Sequence, residues 1–232
     1  SSLDEGIALR KVVKDGNINI LNGFYASGTD EYLENALTPA LGSFMEIEGY
    51  KKLSAKAGRK LPAFIAFNIR MNRLGLGAVE TEKLLGDLSM LEGLDVKCVM
   101  SHFTCADEKD HPMNEIQFQA FSDIAKHFPG AEKSLSNSSG IFRNQKYHFD
   151  LARPGAALYG VNPMPETKNP MRPVVGLKAA ILRVRMVYKG ASVGYGATYK
   201  VKGDQATQEV AILSAGYGDG AHRFLSNRGQ VR

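Results

Sequence analysis

The sequence has little of what marks a secreted, membrane-spanning or nucleic-acid-binding chain. Only two cysteines, Cys98 and Cys105, occur in 232 residues. They lie seven apart with no His or Cys partner at metal-ligand spacing, so neither a disulfide framework nor a metal site is expected, and both should be reduced. No apolar run reaches the roughly 18 residues that a membrane span requires. The run at 174–184, among the longest, is interrupted by Lys178 and Arg183. With no signal-peptide pattern at the start, a cytoplasmic protein with no membrane partner is expected. The net charge is +5, but the basic residues are scattered among acids rather than clustered. A solvated surface around an anion-binding pocket accounts for this better than a nucleic-acid partner. Internal repeats and low-complexity segments are also missing.

What remains is ordinary globular material. With 44% hydrophobic and 23% charged residues, the chain can build one large domain, or one domain and part of another. Ser1-Ser2-Leu3-Asp4-Glu5 reads as a helix start, a Ser cap followed by acids in the first turn, which suggests that something precedes it. Short apolar runs at 18–21, 63–67, 96–102 and 134–137 read as strands, and 45–57, 79–90 and 110–127 as helices. This alternation predicts an α/β unit, a (β/α) barrel incomplete at its N-terminus, over residues 1–168. The rhythm stops at the proline-rich stretch 162–173. Residues 169–232 then carry strand-like runs at 177–190, 194–203 and 209–218, separated by glycine-containing turns. They predict a mainly antiparallel β domain, and 227–232 looks like a turn entering a further strand, so that domain should be incomplete at its C-terminus.

Four segments fall where a barrel places its site, at the C-terminal ends of strands. They are Met71-Asn72-Arg73-Leu74-Gly75, the run from Ser101 to Glu108, Ser136-Asn137-Ser138-Ser139-Gly140, and Asp150-Leu151-Ala152-Arg153-Pro154-Gly155. Hydroxyls and backbone N–H groups at the start of a helix after Asn137 suit an anion such as phosphate, although a plain capped helix has the same sequence. Arg153 adds fixed positive charge, and Gly155 permits close backbone approach to a ligand. Arg73 and His102 are each weak signals alone. In the β region, Tyr195 and Tyr217 stand among glycines, which suits a presented side chain as well as a packed strand.

Taken in order, these segments resemble alanine racemase. The resemblance rests on Met71 to Gly75, the Ser-His-Phe-x-x-Ala-Asp-Glu run from Ser101, Asn137-Ser138, Arg153-Pro154-Gly155 with Leu158-Tyr159-Gly160, Val193 to Gly196, and Gly216 to Gly220 leading to Arg223. It implies a racemase that uses pyridoxal 5'-phosphate (PLP) and supplies D-alanine for peptidoglycan, acting on a small amino acid in a head-to-tail homodimer. It also implies residue roles. Ser138 and the backbone of Gly155 and Ala156 would bind the cofactor phosphate, and Arg153 would face the pyridine nitrogen. Arg73 would position the substrate carboxylate. Tyr195 would be one acid/base group, contacted by His102 with Arg153 behind it, and Tyr217, Asp107 and Arg223 would line an access corridor. Free tyrosine titrates near pKa ~10, so it needs cationic or hydrogen-bonding help to act as a base near neutrality.

Two departures bear on this resemblance. The family's PLP lysine falls upstream of the segment matching Ser1, so the chain as given is not expected to racemise alanine by itself. Ala66-Phe67-Asn68-Ile69-Arg70 replaces the usual Lys-x-Asp-Thr-Gly-like run, which removes the lysine that supports the substrate arginine. A racemase of another amino acid and a non-catalytic PLP-binding relative are the alternatives.

Overall fold

The structure, a computed structural model, describes residues 2–229. It divides into two compact units, Ser1–Val174 and Val175–Arg232. Ser1, and the final residues of the expected turn into a strand at 227–232, lie outside the described residues.

In the first unit, α1 (Leu3–Val12) begins on Ser2, whose hydroxyl accepts the Glu5 N–H while the Glu5 carboxylate accepts the Ser2 N–H at 2.8 Å. This reciprocal box satisfies two amide donors that an uncapped helix end would leave open. Strands β1 (Ile18–Ile20), β2 (Leu37–Leu41), β3 (Leu61–Ala66), β4 (Leu94–Met100) and β5 (Glu132–Ser134) then alternate with helices. The helices are α2 (Thr29–Glu34), α3 (Phe44–Lys56), α4 (Ala78–Gly86) and α5 (Met113–Ala125), and α6 (Ser138–Arg143) follows β5. All neighbouring strands are parallel, in the order β1-β2-β3-β4-β5. An open doubly wound sheet reverses its strand order at a switch point, whereas a (β/α) barrel adds strands in sequence. The first unit is therefore part of a (β/α) barrel.

The expected strands and helices are present with shifted ends, and one strand was not expected. The strand expected at 134–137 is regular only over Glu132–Ser134, because the residues after Ser134 lead into the cap of α6. The helix expected over 79–90 ends at Gly86 and gives way to a 3-10 turn at Leu88–Leu91. Strand β2 has no counterpart in the sequence reading, and it holds Pro39, a residue disfavoured in a central strand. Leu37, Thr38 and Pro39 pair with β1, while Ala40 and Leu41 pair with β3. Pro39 thus sits where the ladder changes partner, and all five residues of β2 are buried. Packing outweighs the proline.

The core joins the strands to the helix faces through Ile20, Leu41, Ile65 and Val99 from the sheet and Ile47 and Phe121 from the helices. The second unit contains β6 (Ile181–Tyr188) antiparallel to β9 (Thr207–Leu213), and a short antiparallel pair, β7 (Ser192–Val193) with β8 (Tyr199–Lys200). No described helix is long and apolar enough to cross a membrane.

Candidate functional site

The loop that leaves β3 carries Arg73 and closes on itself. Its base is a parallel bridge between Phe67 and Leu76, with Asn68 N–H donating to Leu76 O and Leu76 N–H to Ala66 O, both at 2.9 Å. Gly75 is required there: at φ +103 a Cβ would come within 2.7 Å of the Asn68 nitrogen and the Phe67 carbonyl carbon. Higher in the loop, Asn68 Oδ1 accepts the Asn72 N–H at 2.9 Å, and Asn68 Nδ2 donates to Asn72 Oδ1 at 3.0 Å. This pair holds Arg70 and Asn72 at positive φ, a conformation that costs a non-glycine residue energy. The sequence reading had left Arg73 without support once the lysine was gone. The Asn68–Asn72 pair braces the loop from within.

At the end of β4, Ser101 donates its hydroxyl to Phe67 O at 2.6 Å, tying two strand ends together. His102 follows. Arg153, on the segment running beside β5, donates to Ser134 Oγ and to Ser101 O, and its Nη2 lies 3.4 Å from His102 Nδ1. Both ring nitrogens of His102 thus face donors, Nδ1 the Arg153 guanidinium and Nε2 the Asn137 amide. Asn137 Nδ2 lies 3.4 Å from Nε2 and donates to Phe103 O, while its Oδ1 caps α6 by accepting the Gly140 N–H. Burial above all, then the charges of Arg153 and Arg73, push His102 down to about 4. The imidazole is neutral at physiological pH. Burial also lowers Arg153 to about 10, which leaves it charged.

Arg73, His102 and Arg153 line one cavity of about 310 Å³, together with Asn68 and Met100, and no acidic side chain is among its lining. Beside it, the buried Ser138 at the start of α6 accepts the N–H groups of Gly155 and Ala157 at 2.9 and 3.2 Å. This bond joins the helix start to the Arg-Pro-Gly segment. A Cβ built on Gly155 would meet nothing within 4 Å, so the backbone there faces open space. Ala156 opens the 3-10 turn Ala156–Tyr159.

Two supporting residues escaped the sequence reading. Gln117 of α5 is fully buried and donates to Ile69 O, His102 O and Thr104 Oγ1 while accepting the Thr104 N–H. It links the Arg73 loop to the His102 segment. The available signal was a polar residue on the stripe that Phe121 and Ile124 continue. Arg143 of α6 donates to the carbonyls of Ala106 and Asp107 and pairs with Glu166, fixing the backbone at Asp107. In the same segment, Cys105 Sγ lies together with ligand atoms of Glu108 and His111, all within 4.8 Å of one another. Two successive turns, closed by Glu108 N–H on Cys105 O and His111 N–H on Glu108 O, bring them together.

In the second unit, Tyr195, Tyr217 and Arg223 line a single cavity of about 820 Å³ with Val193, Tyr199 and Asn227. Both Tyr195 and Tyr217 are exposed, at 89% and 76%. The expected site residues thus form two sets, one in each unit.

Comparison with known families matches residues 1–163 to the alanine racemase N-terminal domain and 174–232 to the alanine racemase C-terminal domain. The chain belongs to the alanine racemase family. It is 46% identical over 219 residues to the catabolic alanine racemase of Mesorhizobium japonicum, an alignment covering 94% of this chain and 57% of that protein. With an alanine racemase of Rickettsia peacockii it shares 42% identity over 232 residues, covering 100% of this chain and 63% of that one. The crystal structure of the Bartonella henselae alanine racemase, which holds covalently bound PLP, superposes with a TM-score of 0.86 at 32% identity, covering 97% of this chain and 62% of that structure. The chain therefore spans about three-fifths of the length of these alanine racemases.

Proposed function

We propose that the protein serves, within a full-length alanine racemase, in the PLP-dependent interconversion of L- and D-alanine. The observation that carries this reading is the acid-free cavity lined by Arg73, His102 and Arg153 beside the Ser138–Gly155 junction. The donor set fits the cofactor. Ser138, Gly155 and Ala156 would hold its phosphate, the Gly155 N–H turning from the Ser138 hydroxyl to the ligand across the open space that faces Gly155. Arg153 would face the pyridine nitrogen, to which a donor-only guanidinium can give a hydrogen bond without yielding a proton. When bound, PLP supplies the electron sink that makes the α-proton of an amino acid removable.

The chain's own residues supply position and a route for one proton. Arg73 binds the substrate carboxylate as a fixed cation. Tyr195 exchanges the α-proton on one face of the cofactor through its phenolic oxygen. His102, neutral beside Arg153, aids that exchange by a hydrogen bond to the tyrosine instead of a full charge. Tyr217, Asp107 and Arg223 line the approach. The exposed Tyr195 and Tyr217 suit a head-to-tail homodimer in which each second unit serves the partner's first. By family resemblance, the D-alanine would be made in the cytoplasm for peptidoglycan.

The test is made on the full-length protein. It should show the visible absorbance of bound PLP and convert L-alanine to a mixture of enantiomers, followed by chiral chromatography. A protein that binds PLP but leaves every amino acid in a panel unconverted is not a racemase.

A further inference from the structure

We infer that Cys105, Glu108 and His111 form a binding site for one divalent transition-metal ion of the zinc type. The inference does not depend on the racemase reading. Three successive backbone bonds shape the segment: Glu108 N–H to Cys105 O at 3.0 Å, His111 N–H to Glu108 O at 3.5 Å, and Asn114 N–H to His111 O at 3.1 Å. The first two close consecutive turns, and the side chains of Cys105, Glu108 and His111 gather on one side of them. The segment is also held from outside. Asn114 Nδ2 donates to Glu108 O at 2.9 Å, and Arg143 donates to Ala106 O and Asp107 O at 3.0 and 2.9 Å.

The ligand atoms already lie within 4.8 Å of one another. Metal–ligand bonds of about 2.0–2.3 Å in a tetrahedral site require ligand separations of roughly 3.5 Å, so side-chain rotations that close each pair by about 1 Å complete it. A thiolate, an imidazole and a carboxylate select a borderline-soft ion over Mg²⁺ or Ca²⁺, which prefer all-oxygen sites. Glu108 is exposed and the other two are half-buried, leaving the fourth position to water.

Binding should leave a mark on α5. His111 Nδ1 now accepts the Met113 N–H at 3.1 Å. A neutral imidazole offers one lone pair, so an ion on either ring nitrogen competes with that amide. Occupancy frees the Met113 N–H at the first turn of the helix.

The probe is the metal alone: Zn²⁺ by equilibrium dialysis, and Co²⁺ by difference absorbance on the full protein. One equivalent should bind, Co²⁺ should give a thiolate charge-transfer band in the near ultraviolet, and the Met113 amide resonance should move. Cys105→Ser should abolish the band and weaken Zn²⁺ binding by at least the ~10–100-fold that loss of a mere supporting group costs at metal sites. His111→Asn, which keeps an acceptor for the Met113 N–H and so preserves the helix start, should weaken binding comparably. Cys98→Ser should change nothing, since Cys98 is fully buried. No saturable binding, or binding that survives both Cys105→Ser and His111→Asn, overturns the site.

Discussion

The two units hold their functional residues in opposite ways. In the first, His102 follows the end of β4 and Arg153 lies beside β5, the two cross-linked through Ser101, Ser134 and Asn137, with the buried Gln117 bonding across from α5. In the second, Tyr195 and Tyr217 ride on exposed 3-10 turns flanked by glycines at positive φ, Gly194 and Gly196 around one and Gly220 after the other. A site that must act on charge benefits from donors fixed before the ligand arrives, because no reorganisation is then needed during reaction. A side chain that serves another copy must instead stand clear of its own unit. The racemase reading makes rigidity the property of the barrel and presentation that of the β unit.

The largest effect should come from the presented side. In the full-length protein, Tyr195→Phe keeps the ring and removes only the group that exchanges a proton, so the α-proton exchange rate should fall by about 10²–10⁴-fold from one enantiomer. Exchange from the other enantiomer should suffer far less, as followed by solvent-deuterium incorporation. Equal and negligible losses from both would remove Tyr195 from the chemistry and with it the division of labour between the units.

A smaller effect should mark the fixed side. Native His102 titrates near 4 against an ordinary 6.5, with burial first and then Arg153 and Arg73 disfavouring its charged form. Its folded value is depressed, so the unfolded chain binds the proton more tightly. The neutral ring's contribution is complete above pH 6.5 and is lost as pH falls through 6.5 towards 4, approaching about 3 kcal/mol below that window. An NMR titration of the ring should show no protonation at pH 6, and Arg153→Gln should raise the midpoint. A midpoint that stays put would mean that burial and Arg73 set it without Arg153.

Most of the frame could be read from residues: the barrel alternation, the capped start of α1, and the strand ends carrying Arg73, His102, Ser138 and Arg153. What escaped depends on contacts between residues distant in sequence. Strand β2, with Pro39 in it, shows itself only once its two half-ladders are seen. Gln117 looked like an ordinary helix polar residue, and its four bonds exist only once Ile69 and Thr104 are brought beside it. The neutrality of His102 follows from its burial and from the Arg153 and Arg73 charges beside it, which no spacing reveals. In each case tertiary context overrides a local preference.

The smallest effect tests whether the rigidity of the barrel side extends to its exposed loop. Asn68 and Asn72 are partners across two hydrogen bonds close to solvent, each contributing about 0.5–1.5 kcal/mol. Asn68→Ala removes both bonds and lets Arg70 and Asn72 relax from positive φ, so Arg73 spends less time aimed at a carboxylate. In the full-length protein the KM for alanine should rise by roughly three- to tenfold with kcat changed less, because a conformational fraction reduces apparent affinity in proportion. Asn68→Asp keeps the acceptor for the Asn72 N–H but puts a carboxylate into the acid-free cavity beside Arg73, so it should restore the loop's stability while leaving the KM high. A merely structural role would lower stability in Asn68→Ala without separating KM from kcat. An unchanged KM would show that the bridge at Phe67 and Leu76 holds Arg73 by itself, and that barrel rigidity ends at the base of the loop.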